Sequence, residues 1–538
     1  MISPGASAAC STPPRSLLPS DWELVVNLLL RTCRAATKRK AAASRPDSRL
    51  RSRCSKIVKT RWQEELARRI TEERLAVPLS PHIMNWIDAL VSALPGRVHT
   101  DASTLASHAA DKWFASHEPE AVLLATETAD VVAAMKIASE HRVAVTTRGA
   151  GVGYVGGCVP VRGGLVIALA GMNRILEISP EDGVAVVQPG VITGDLQEAV
   201  KKLGWYYPPD PASLKECSLG GNVATNAGGP RCLKYGVTRP YVLGLEVVQA
   251  DGTVLRTGGR CHKNRQGFDL TGMFVGSEGM LGIVTEITLR LIPHPPTRAL
   301  LGATFRTFQE AAQAVQKILG TGHLPSALEI TDKFTLQAAR DYLGEERTPH
   351  GDAHLFVETD GHPEAVSAEA KKLTALLRGA GAVAIKTATT DQEVEALWSL
   401  RREFSYSLRA TGLTKLNEDV VVPRGKLVEL VQFAGELQAE SGFPIACFGH
   451  AGDGNIHVNI MVPDMTDPAQ RARAEDALDK LFRFVLGIGG VISGEHGIGL
   501  AKKRWFPEAI DHAGRAAHMA LKAAFDPQGI LNPGKFLD

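Results

Sequence analysis

The sequence lacks a paired cysteine motif, a marked net charge and, in its first 81 residues, an apolar run long enough to span a membrane. Its eight cysteines, at positions 10, 33, 54, 158, 217, 232, 261 and 447, form no CxxC pair. This scatter argues against an iron–sulfur or cysteine-rich zinc site and favours a reducing compartment. The net charge of +2 gives no reason to expect a nucleic acid partner. We expect a cytoplasmic protein, with the inner face of the membrane as an alternative location.

The first 60 residues are basic, with twelve Lys and Arg against three Asp and Glu. Their one apolar run, residues 22–30, is too short for a transmembrane helix. We predict that residues 1–81 form a poorly ordered extension. Residues 61–75 and 82–94 have helical patterns, which Pro78 and Pro81 separate. A mitochondrial transit peptide and sequence upstream of the true start are alternatives. The length of 538 residues and the 44% hydrophobic content indicate two to four soluble domains.

Two histidines flank a predicted turn near the C-terminal end. Asp453-Gly454 is a strong signal for a two-residue hairpin turn, and both flanks are typical of strands. This register places His450 directly opposite His457, with Cβ atoms about 5 Å apart, so both rings could reach one metal ion. An inert, hydrogen-bonded hairpin is the alternative interpretation.

A second segment, residues 493–499, adds a carboxylate and a third imidazole. Glu495 and His496 lie there between glycines, which allow close backbone approach. Two histidines and one glutamate form a ligand set suited to Zn or Mn with an open position. The sequence therefore predicts a metal site made of His450, His457 and Glu495.

A glycine-rich loop, residues 148–157, follows a β-α-β pattern that begins at residue 121. The N–H groups of such a loop form an anion nest suited to a pyrophosphate. No long helix follows, so this is not the Rossmann fingerprint, and a purely structural loop is the alternative. Further segments rich in Gly or Asn lie beside strand-like runs at 187–191, 208–213, 218–231, 234–236 and 274–287. Together they predict a backbone folded tightly around a long, phosphate-bearing ligand.

The composition changes after residues 293–296, where we place the boundary between domains 82–296 and 297–538. Residues 300–386 follow the order strand, helix, strand, strand, helix, strand, which predicts a ferredoxin-like cap. A helix is predicted over 393–409. Arg401 and Ser405 share one of its faces, and we interpret Arg402 as a solvated helix charge.

Several motifs together resemble those of one enzyme family. They are the loop 148–157, Asp210-Pro211-Ala212-Ser213, Gly220-Gly221-Asn222, Asn226-Ala227-Gly228-Gly229, Gly276-Ser277-Glu278-Gly279, Gly449-His450 with His457, Gly494-Glu495-His496-Gly497 and Leu531-Asn532-Pro533-Gly534-Lys535. In order and spacing they are similar to the FAD-dependent D-2-hydroxyacid dehydrogenases of the vanillyl-alcohol-oxidase-like flavoprotein superfamily. The resemblance runs from about residue 80 to the C-terminus.

The resemblance implies an α+β fold with a PCMH-type FAD-binding domain of two α+β subdomains, a ferredoxin-like substrate cap and a C-terminal segment that returns to the flavin. It implies non-covalent FAD, because the loop contains no histidine for covalent attachment. Val152 stands where the family usually has a hydroxyl residue. The implied cofactor contacts are Arg148, Gly149, Ala150, Gly151, Val152, Gly153, Gly156, Gly157, Pro211, Ser213, Gly220, Gly221, Asn222, Thr225, Asn226, Gly228, Gly229, Tyr235, Gly236, Glu278, Gly279, Gly282, Ile283, Val284 and Asn532.

The resemblance further implies that the enzyme oxidises a small D-2-hydroxyacid, first of all D-lactate. The metal would chelate the substrate and lower the pKa of its hydroxyl. His496 would be the general base, with hydride passing to flavin N5. The predicted substrate-binding residues are Arg401, Ser405, Lys415 and Asn459, with Asp419 near the site.

The sequence leaves several readings open. D-2-hydroxyglutarate and glycolate are alternative substrates, and a non-redox flavin transferase of the same fold, such as an alkylglycerone-phosphate synthase, is an alternative activity. The electron acceptor could be a quinone, cytochrome c, an electron-transfer flavoprotein or, in an oxidase, O₂. A homodimer and a complex with an electron-transfer subunit are both compatible with the chain.

Overall fold

The computed structural model describes residues 85–537. The predicted basic extension and the helical pattern at 61–75 lie outside these residues. The second predicted helix runs over Trp86–Ala93 (α1) in the described part. Met84–Asp538 forms one compact unit, so both predicted folded domains belong to it.

The first sheet carries the glycine-rich loop at the end of a buried strand. Its strands are β1 (Val98–His99), β2 (Ala121–Leu124), β3 (Val145–Arg148) and β4 (Leu165–Ala168), with helices α1, α2 (Ala102–Ser107) and α3 (Thr128–His141) beside them. The order is β1-β2-β4-β3, and β2 and β3 both run parallel to β4. Val131 and Met135 of α3 pack against Leu123 and Ile167 of the sheet. The loop therefore leaves a fixed strand end.

The second sheet supplies the remaining glycine-rich segments. Its strands are β5 (Ile175–Ser179), β6 (Val184–Val187), β8 (Val242–Val248), β9 (Val254–Gly258) and β10 (Ile283–Arg290), in the order β5-β6-β10-β8-β9. A hairpin across Asp251-Gly252 joins β8 to β9. Between and after these strands lie α4 (Thr193–Lys201), β7 (Trp205–Tyr206), α5 (Leu219–Thr225), α6 (Cys232–Tyr235), a 3-10 turn (Arg239–Tyr241), α7 (Leu270–Phe274) and β11 (Ile292–Pro293), which pairs with β7.

The cap begins directly after the predicted boundary with β12 (Thr297–Phe305). The elements that follow are α8 (Phe308–Gly320), β13 (Ala327–Thr331), α9 (Lys333–Leu343), a 3-10 turn (Glu345–Arg347), β14 (Ala353–Gly361), α10 (Pro363–Gly379) and β15 (Ala384–Ala388). The strand order β15-β12-β14-β13 is ferredoxin-like, as predicted. The sequence analysis missed α9, which begins where the Asp332 side chain accepts a hydrogen bond from Thr335 N–H at 2.9 Å.

Three more strands extend the ferredoxin-like sheet to seven. They are β16 (Thr414–Val421), β17 (Ile445–His450) and β18 (Asn455–Val462), which continue the order as β13-β17-β18-β16. The other elements of this region are α11 (Asp391–Ala410), a 3-10 turn (Arg424–Lys426), α12 (Leu427–Ser441), α13 (Pro468–Gly487), α14 (Phe506–Ala509) and α15 (His512–Phe525).

The two faces of the seven-stranded sheet differ in character. One face carries apolar side chains such as Leu355, Val458 and Ile460, which form a core with residues of α8, α10, α12 and α13. Antiparallel pairing aligns Glu329 with His450 and Asp419 with His457 on the opposite face. The site is built on this polar face.

The C-terminal segment returns to the first sheet. Leu531 pairs with Val145, and Asn532 N–H donates to the Val145 carbonyl at 2.7 Å. Across residues 85–537, no helix combines the length and apolar character needed to cross a bilayer.

Candidate active site and cofactor cavity

The hairpin that carries the two histidines differs from its predicted register. Phe448 pairs with His457, and His450 pairs with Asn455, so a four-residue loop joins the strands. The predicted two-residue turn is wrong because the His450 carbonyl closes the loop by accepting from Gly454 N–H at 3.2 Å. His450 and His457 are diagonal neighbours on one face, with ring centroids 5.6 Å apart. The two imidazoles meet, as predicted, by a different geometry.

The segment that carries Glu495 and His496 is held by two buried carboxylates. Asp419 Oδ2 accepts the N–H groups of Gly494, Glu495 and His496 at 2.7, 2.6 and 3.0 Å. Glu278 accepts the N–H groups of Ile498 and Gly499, both at 2.8 Å. Five of the six N–H groups of residues 494–499 thus bind one of these two carboxylates, and the sixth, that of Gly497, donates to Ser493 Oγ at 3.0 Å. These bonds set the position of the Glu495 and His496 side chains without regular secondary structure.

His450, His457 and Glu495 form a cluster with metal-binding spacing. One ligand atom from each lies within 4.8 Å of the others. His457 Nε2 lies 3.4 Å from Glu495 Oε1, and His450 Nε2 lies 3.7 Å from Glu495 Oε2. Two ligand atoms about 2.1 Å from a tetrahedral ion lie roughly 3.4 Å apart, so these residues fit a divalent ion.

Glu329, which the sequence analysis missed, orients this cluster. It is fully buried, and its carboxylate accepts His450 Nδ1 at 2.6 Å and Arg401 Nε at 2.7 Å. A carboxylate behind a ligating histidine fixes the ring and leaves Nε2 for the metal. Burial alone would raise the pKa of Glu329, but the charges of His450 and Arg401 outweigh it and lower this pKa to about 2.

The remaining cluster members are also strongly perturbed. Burial lowers the pKa of His457 to about 3, which keeps the imidazole neutral, the form that binds metals. Burial opposes ionisation of Glu495, but hydrogen bonding to His450 and the neighbouring imidazoles lower its pKa to about 2. Burial opposes the charge of His450, but Glu329 and Glu495 raise its pKa well above the usual range. The metal-free cluster therefore holds a neutral His457, an ionised Glu495 and a protonated His450, which must lose its Nε2 proton before it can bind a metal.

His496 lies beside the cluster and faces the same cavity. Its ring is near-parallel to that of His457, with centroids 5.5 Å apart and an interplanar angle of 24°. Nδ1 lies 3.3 Å from Asp419 Oδ1 but makes no hydrogen bond there. Asp419 itself is fully buried and ion-paired with Lys502. Burial alone would raise the pKa of Asp419, but the charges of His496 and Lys502 lower this pKa far below the usual range.

The cations predicted to bind substrate line the cavity next to this cluster. Arg401 and Ser405 lie on one face of α11, as predicted, and Lys415 Nζ donates to Ser405 Oγ at 2.8 Å. No carboxylate within ion-pair distance of Lys415 occurs in the described part of the chain. Burial and the nearby charge of Arg409 lower the pKa of Lys415 to about 7. An anionic ligand would supply the missing counter-charge.

The predicted substrate contact Asn459 lies behind the cavity wall. It is fully buried, and its amide donates to the carbonyls of Ala446 and His457 at 2.9 and 3.2 Å. Its cross-strand partner Asn417 lines the cavity instead. Arg402 also lines the cavity, where it is ion-paired with Glu395 rather than solely solvated.

The cavity is large and continues to the glycine-rich loops. Its volume is about 1060 Å³. Gly151, Val152 and Gly153 line it, and their N–H groups have no hydrogen-bond acceptor within residues 85–537. A Cβ on Gly149 would lie 2.6 Å from Ser218 Oγ, so only glycine allows this approach of loop and helix α5. These unpaired donors in a narrow cradle fit the pyrophosphate of the predicted FAD.

Most of the predicted cofactor contacts line this cavity. They are Gly149, Ala150, Gly151, Val152, Gly153, Gly157, Pro211, Ser213, Gly220, Gly221, Asn222, Thr225, Glu278, Gly279, Gly282 and Val284. The cavity wall does not include Arg148, Gly156, Asn226, Gly228, Gly229, Tyr235, Gly236, Ile283 and Asn532.

The four polar side chains of this second group, those of Arg148, Asn226, Tyr235 and Asn532, form hydrogen bonds with other protein groups. Arg148 Nη1 donates to the Ala110 carbonyl at 2.7 Å, and Tyr235 OH donates to Asp360 at 2.6 Å. Asn532 Nδ2 donates to the carbonyls of Gly157 and Glu278 at 3.0 and 2.7 Å. These residues hold the loops in place. The C-terminal segment, predicted to contact the flavin through Asn532, contacts the glycine-rich loop through that residue instead.

A sequence signal for Glu329 existed, because it is the one charged residue in the apolar strand β13. Tyr154 and Asn417 also line the cavity and carried no distinctive pattern.

Comparisons with known proteins agree with this architecture. Residues 119–258 match the family model described as FAD binding domain, and residues 294–536 match FAD linked oxidases, C-terminal domain. Glycolate oxidase subunit GlcD of Bacillus subtilis (strain 168) is 42% identical over 417 residues, which cover 78% of this chain and 88% of that protein. D-lactate dehydrogenase of Anaerostipes hadrus is 35% identical, with 78% and 89% covered. D-2-hydroxyglutarate dehydrogenase of Stutzerimonas stutzeri (strain A1501) is 33% identical, with 85% and 98% covered.

Solved structures share the fold at low identity. P-cresol methylhydroxylase superposes with a TM-score of 0.71 at 20% identity, covering 84% of this chain and 96% of that one. Alkyldihydroxyacetonephosphate synthase superposes with a TM-score of 0.66 at 19% identity, with 86% of each chain covered. These likenesses concern the PCMH-type fold alone.

Proposed function

Because the chain belongs to the family of FAD-linked oxidoreductases that includes these glycolate oxidase and D-lactate dehydrogenase relatives, we propose that it oxidises a small D-2-hydroxyacid, first of all D-lactate, to the 2-oxoacid. FAD-dependent oxidation of a CH–OH donor follows from the family itself. The finer proposal is supported by one observation. The cluster of His450, His457 and Glu495 lines the same cavity as Lys415 and the glycine-rich cradle.

The cluster would bind a divalent ion, zinc or manganese. Such an ion polarises a coordinated hydroxyl and lowers its pKa, as zinc does for water. The contribution of the chain is to hold the ligands ready, because Glu329 fixes the His450 ring and Asp419 fixes the backbone of Glu495.

Substrate orientation would come from the cations beside the cluster. A 2-hydroxyacid carboxylate bound by Arg401 and Lys415 would hold the substrate hydroxyl towards the histidines. His496, whose backbone Asp419 fixes, would take the hydroxyl proton. FAD held in the cradle would supply the oxidising chemistry, because it could accept the carbon-bound hydrogen together with its two electrons.

The first test is anaerobic bleaching of the visible flavin absorbance by D-lactate, L-lactate, D-2-hydroxyglutarate and glycolate, each with and without a chelator. We expect D-lactate to bleach the flavin and the chelator to prevent it, with recovery on adding zinc or manganese. Bleaching by none of the acids would refute the proposed substrate class. Bleaching that is unaffected after complete metal removal would refute the metal role alone.

The second test is His496→Gln. We expect FAD to remain bound while flavin reduction slows about 10²–10⁴-fold, the usual contribution of a general base. His518→Gln, on the exposed face of α15, is the matched control and should reduce its flavin at the wild-type rate. If His496→Gln retained more than about a tenth of the rate, His496 would not be the base.

D-2-hydroxyglutarate is the second candidate substrate. Arg401, Lys415 and Arg409 are among the cationic residues that line the cavity, and a second carboxylate would give Lys415 a counter-ion. Faster bleaching by this acid than by D-lactate would favour it.

The proposed electron acceptor is a quinone, cytochrome c or an electron-transfer flavoprotein. One relative is named as a subunit, which supports a partner subunit as a further possibility for this chain. Steady-state turnover of the purified chain with each acceptor, compared with O₂ alone, distinguishes a dehydrogenase from an oxidase.

A further inference from the structure

Tyr154, in the glycine-rich loop, contacts the proposed base from the cofactor side of the cavity. Its ring centroid lies 5.4 Å from that of His496, with an interplanar angle of 28°. Its hydroxyl accepts a hydrogen bond from Arg409 Nη2 at 2.7 Å, and the Arg409 guanidinium also lies 5.7 Å from the Tyr154 ring centroid. An unbroken series of contacts therefore runs from Arg409 through Tyr154 and His496 to His457.

His496 has few other constraints on its ring. Its backbone N–H is bound by Asp419, but Nδ1 makes no hydrogen bond although it is buried. Asp419 Oδ1 lies 3.3 Å from Nδ1 without forming a hydrogen bond, so hydrogen bonds fix the backbone of His496 but not the plane of its ring. The two near-parallel neighbours, Tyr154 and His457, are the contacts that define this plane.

The backbone around Tyr154 is fixed independently of its side chain. The carbonyl of Gly153 accepts Lys112 N–H at 2.9 Å. The carbonyl of Val155 accepts the N–H groups of Leu500 and Ala501 at 2.7 and 3.1 Å. The second pair of bonds ties the loop to the segment that follows His496, so a change of the Tyr154 side chain leaves both backbones in place.

We propose that Tyr154 is a positioning residue, which holds the His496 ring in the orientation that accepts the substrate proton, with Arg409 holding the phenol of Tyr154. This inference depends on the proposed role of His496 as the base. Stacked aromatic rings restrict one another's orientation, and small misplacements of a reacting group cost large factors in rate. The loop that forms the cofactor cradle thereby also sets the geometry of proton transfer.

The test compares Tyr154→Leu, which removes the ring, with Tyr154→Phe, which keeps the ring and loses only the bond from Arg409. We expect Tyr154→Leu to slow flavin reduction about 10–100-fold, with the KM for substrate within about twofold of wild type. Tyr154→Phe should restore the rate to within about threefold. Tyr342→Leu on the exposed part of α9 is the matched control and should have no effect.

A double-mutant cycle with His496→Gln identifies the route of the effect. If Tyr154 acts through His496, Tyr154→Leu should cause less than a twofold further loss in the His496→Gln background. An unchanged 10–100-fold loss there would overturn the inference, because Tyr154 would then act on something else. A wild-type rate for Tyr154→Leu would overturn it as well.

A chemical measurement tests the contact without enzyme turnover. Diethyl pyrocarbonate modifies exposed imidazoles, and the modified peptide can be quantified by mass spectrometry. We expect His496 in Tyr154→Leu to react severalfold faster than in wild type or Tyr154→Phe, with FAD affinity unchanged. Equal reactivity in all three proteins would contradict the contact. By contrast, faster modification combined with a fully active His496→Gln would refute the proposed base and leave the ring contact established.

Discussion

The most direct test of the site's construction is to neutralise Glu329 by Glu329→Gln. This residue is fully buried and joins His450 to Arg401, so the substitution removes one charge from a buried network. Breaking a buried ion pair from one side costs about 3–5 kcal/mol. The lowering of the Glu329 pKa from 4.5 to about 2 gives a similar figure, about 3 kcal/mol at about 1.4 kcal/mol per pH unit.

The sign of this contribution sets its pH dependence. The pKa of Glu329 is lower in the folded protein than in the unfolded chain, so its stabilisation is complete above about pH 4.5. It is lost as pH falls from there through about 2. At pH 7 the substitution should therefore show its full effect, and the difference between variant and wild type should shrink towards pH 3.

The assay measures thermal unfolding and metal affinity at pH 7. We expect the midpoint of metal-free Glu329→Gln to fall by several degrees. Zinc affinity, measured by competition with a chromophoric chelator, should fall about 10–100-fold, because the ring of His450 loses the partner that orients it.

The matched control is Glu395→Gln, which neutralises the partner of Arg402 on the same helix. The two side chains of that pair are 60% and 37% exposed, so solvent screens their interaction and the cost should stay below about 1 kcal/mol with zinc affinity unchanged. A Glu329→Gln variant that matched this control in both measurements would refute the reasoning.

Three further predictions concern the cavity and its supports. In wild type, kcat/KM should fall as pH rises through about 7, because Lys415 loses the charge that binds the substrate carboxylate. Lys415→Arg should abolish that fall. If kcat/KM of the variant still fell above about pH 7, Lys415 would not be the group that binds the carboxylate. Gly499→Ala should lower the free energy of unfolding by about 1–3 kcal/mol, because φ at Gly499 is +48° and a Cβ there would lie 2.3 Å from the Val155 carbonyl oxygen. The control Gly320→Ala has open space around the added Cβ and should leave the thermal unfolding midpoint unchanged. Asp419→Asn should reduce flavin reduction at least tenfold while FAD stays bound, since the positions of Glu495 and His496 depend on it; wild-type kinetics would contradict this.

The sequence predicts most of this site because its residues lie in a few short motifs. His450 and His457 share one hairpin, and Glu495 and His496 are adjacent, so local spacing was enough to group them. The hairpin turn was wrong because Asp453-Gly454 has the local chemistry of a two-residue turn, whereas Gly452 N–H bonds to Leu328 of the neighbouring strand. A tertiary contact overrode the local preference.

The supporting residues were beyond the reach of local patterns. Glu329 meets His450 across 121 residues of sequence, and Glu278 meets Gly499 across 221. Such pairs follow from strand order and domain packing, which periodicity does not encode. Asn459 and Asn417 illustrate the same limit, because they are direct cross-strand partners and only the packed structure shows which of them reaches the cavity.

The dual attachment of residues 494–499 has a consequence for how the protein matures. Their backbone donors bind Asp419, about 75 residues earlier, and Glu278, about 220 residues earlier, so two long loops must close before this segment is ordered. Contacts of such sequence separation form late in folding. During synthesis the chain completes the seven-stranded sheet before Glu495 and His496 have been added. The segment that carries Glu495 and His496 can therefore be ordered only after the regions that contain Glu278 and Asp419 have folded against it.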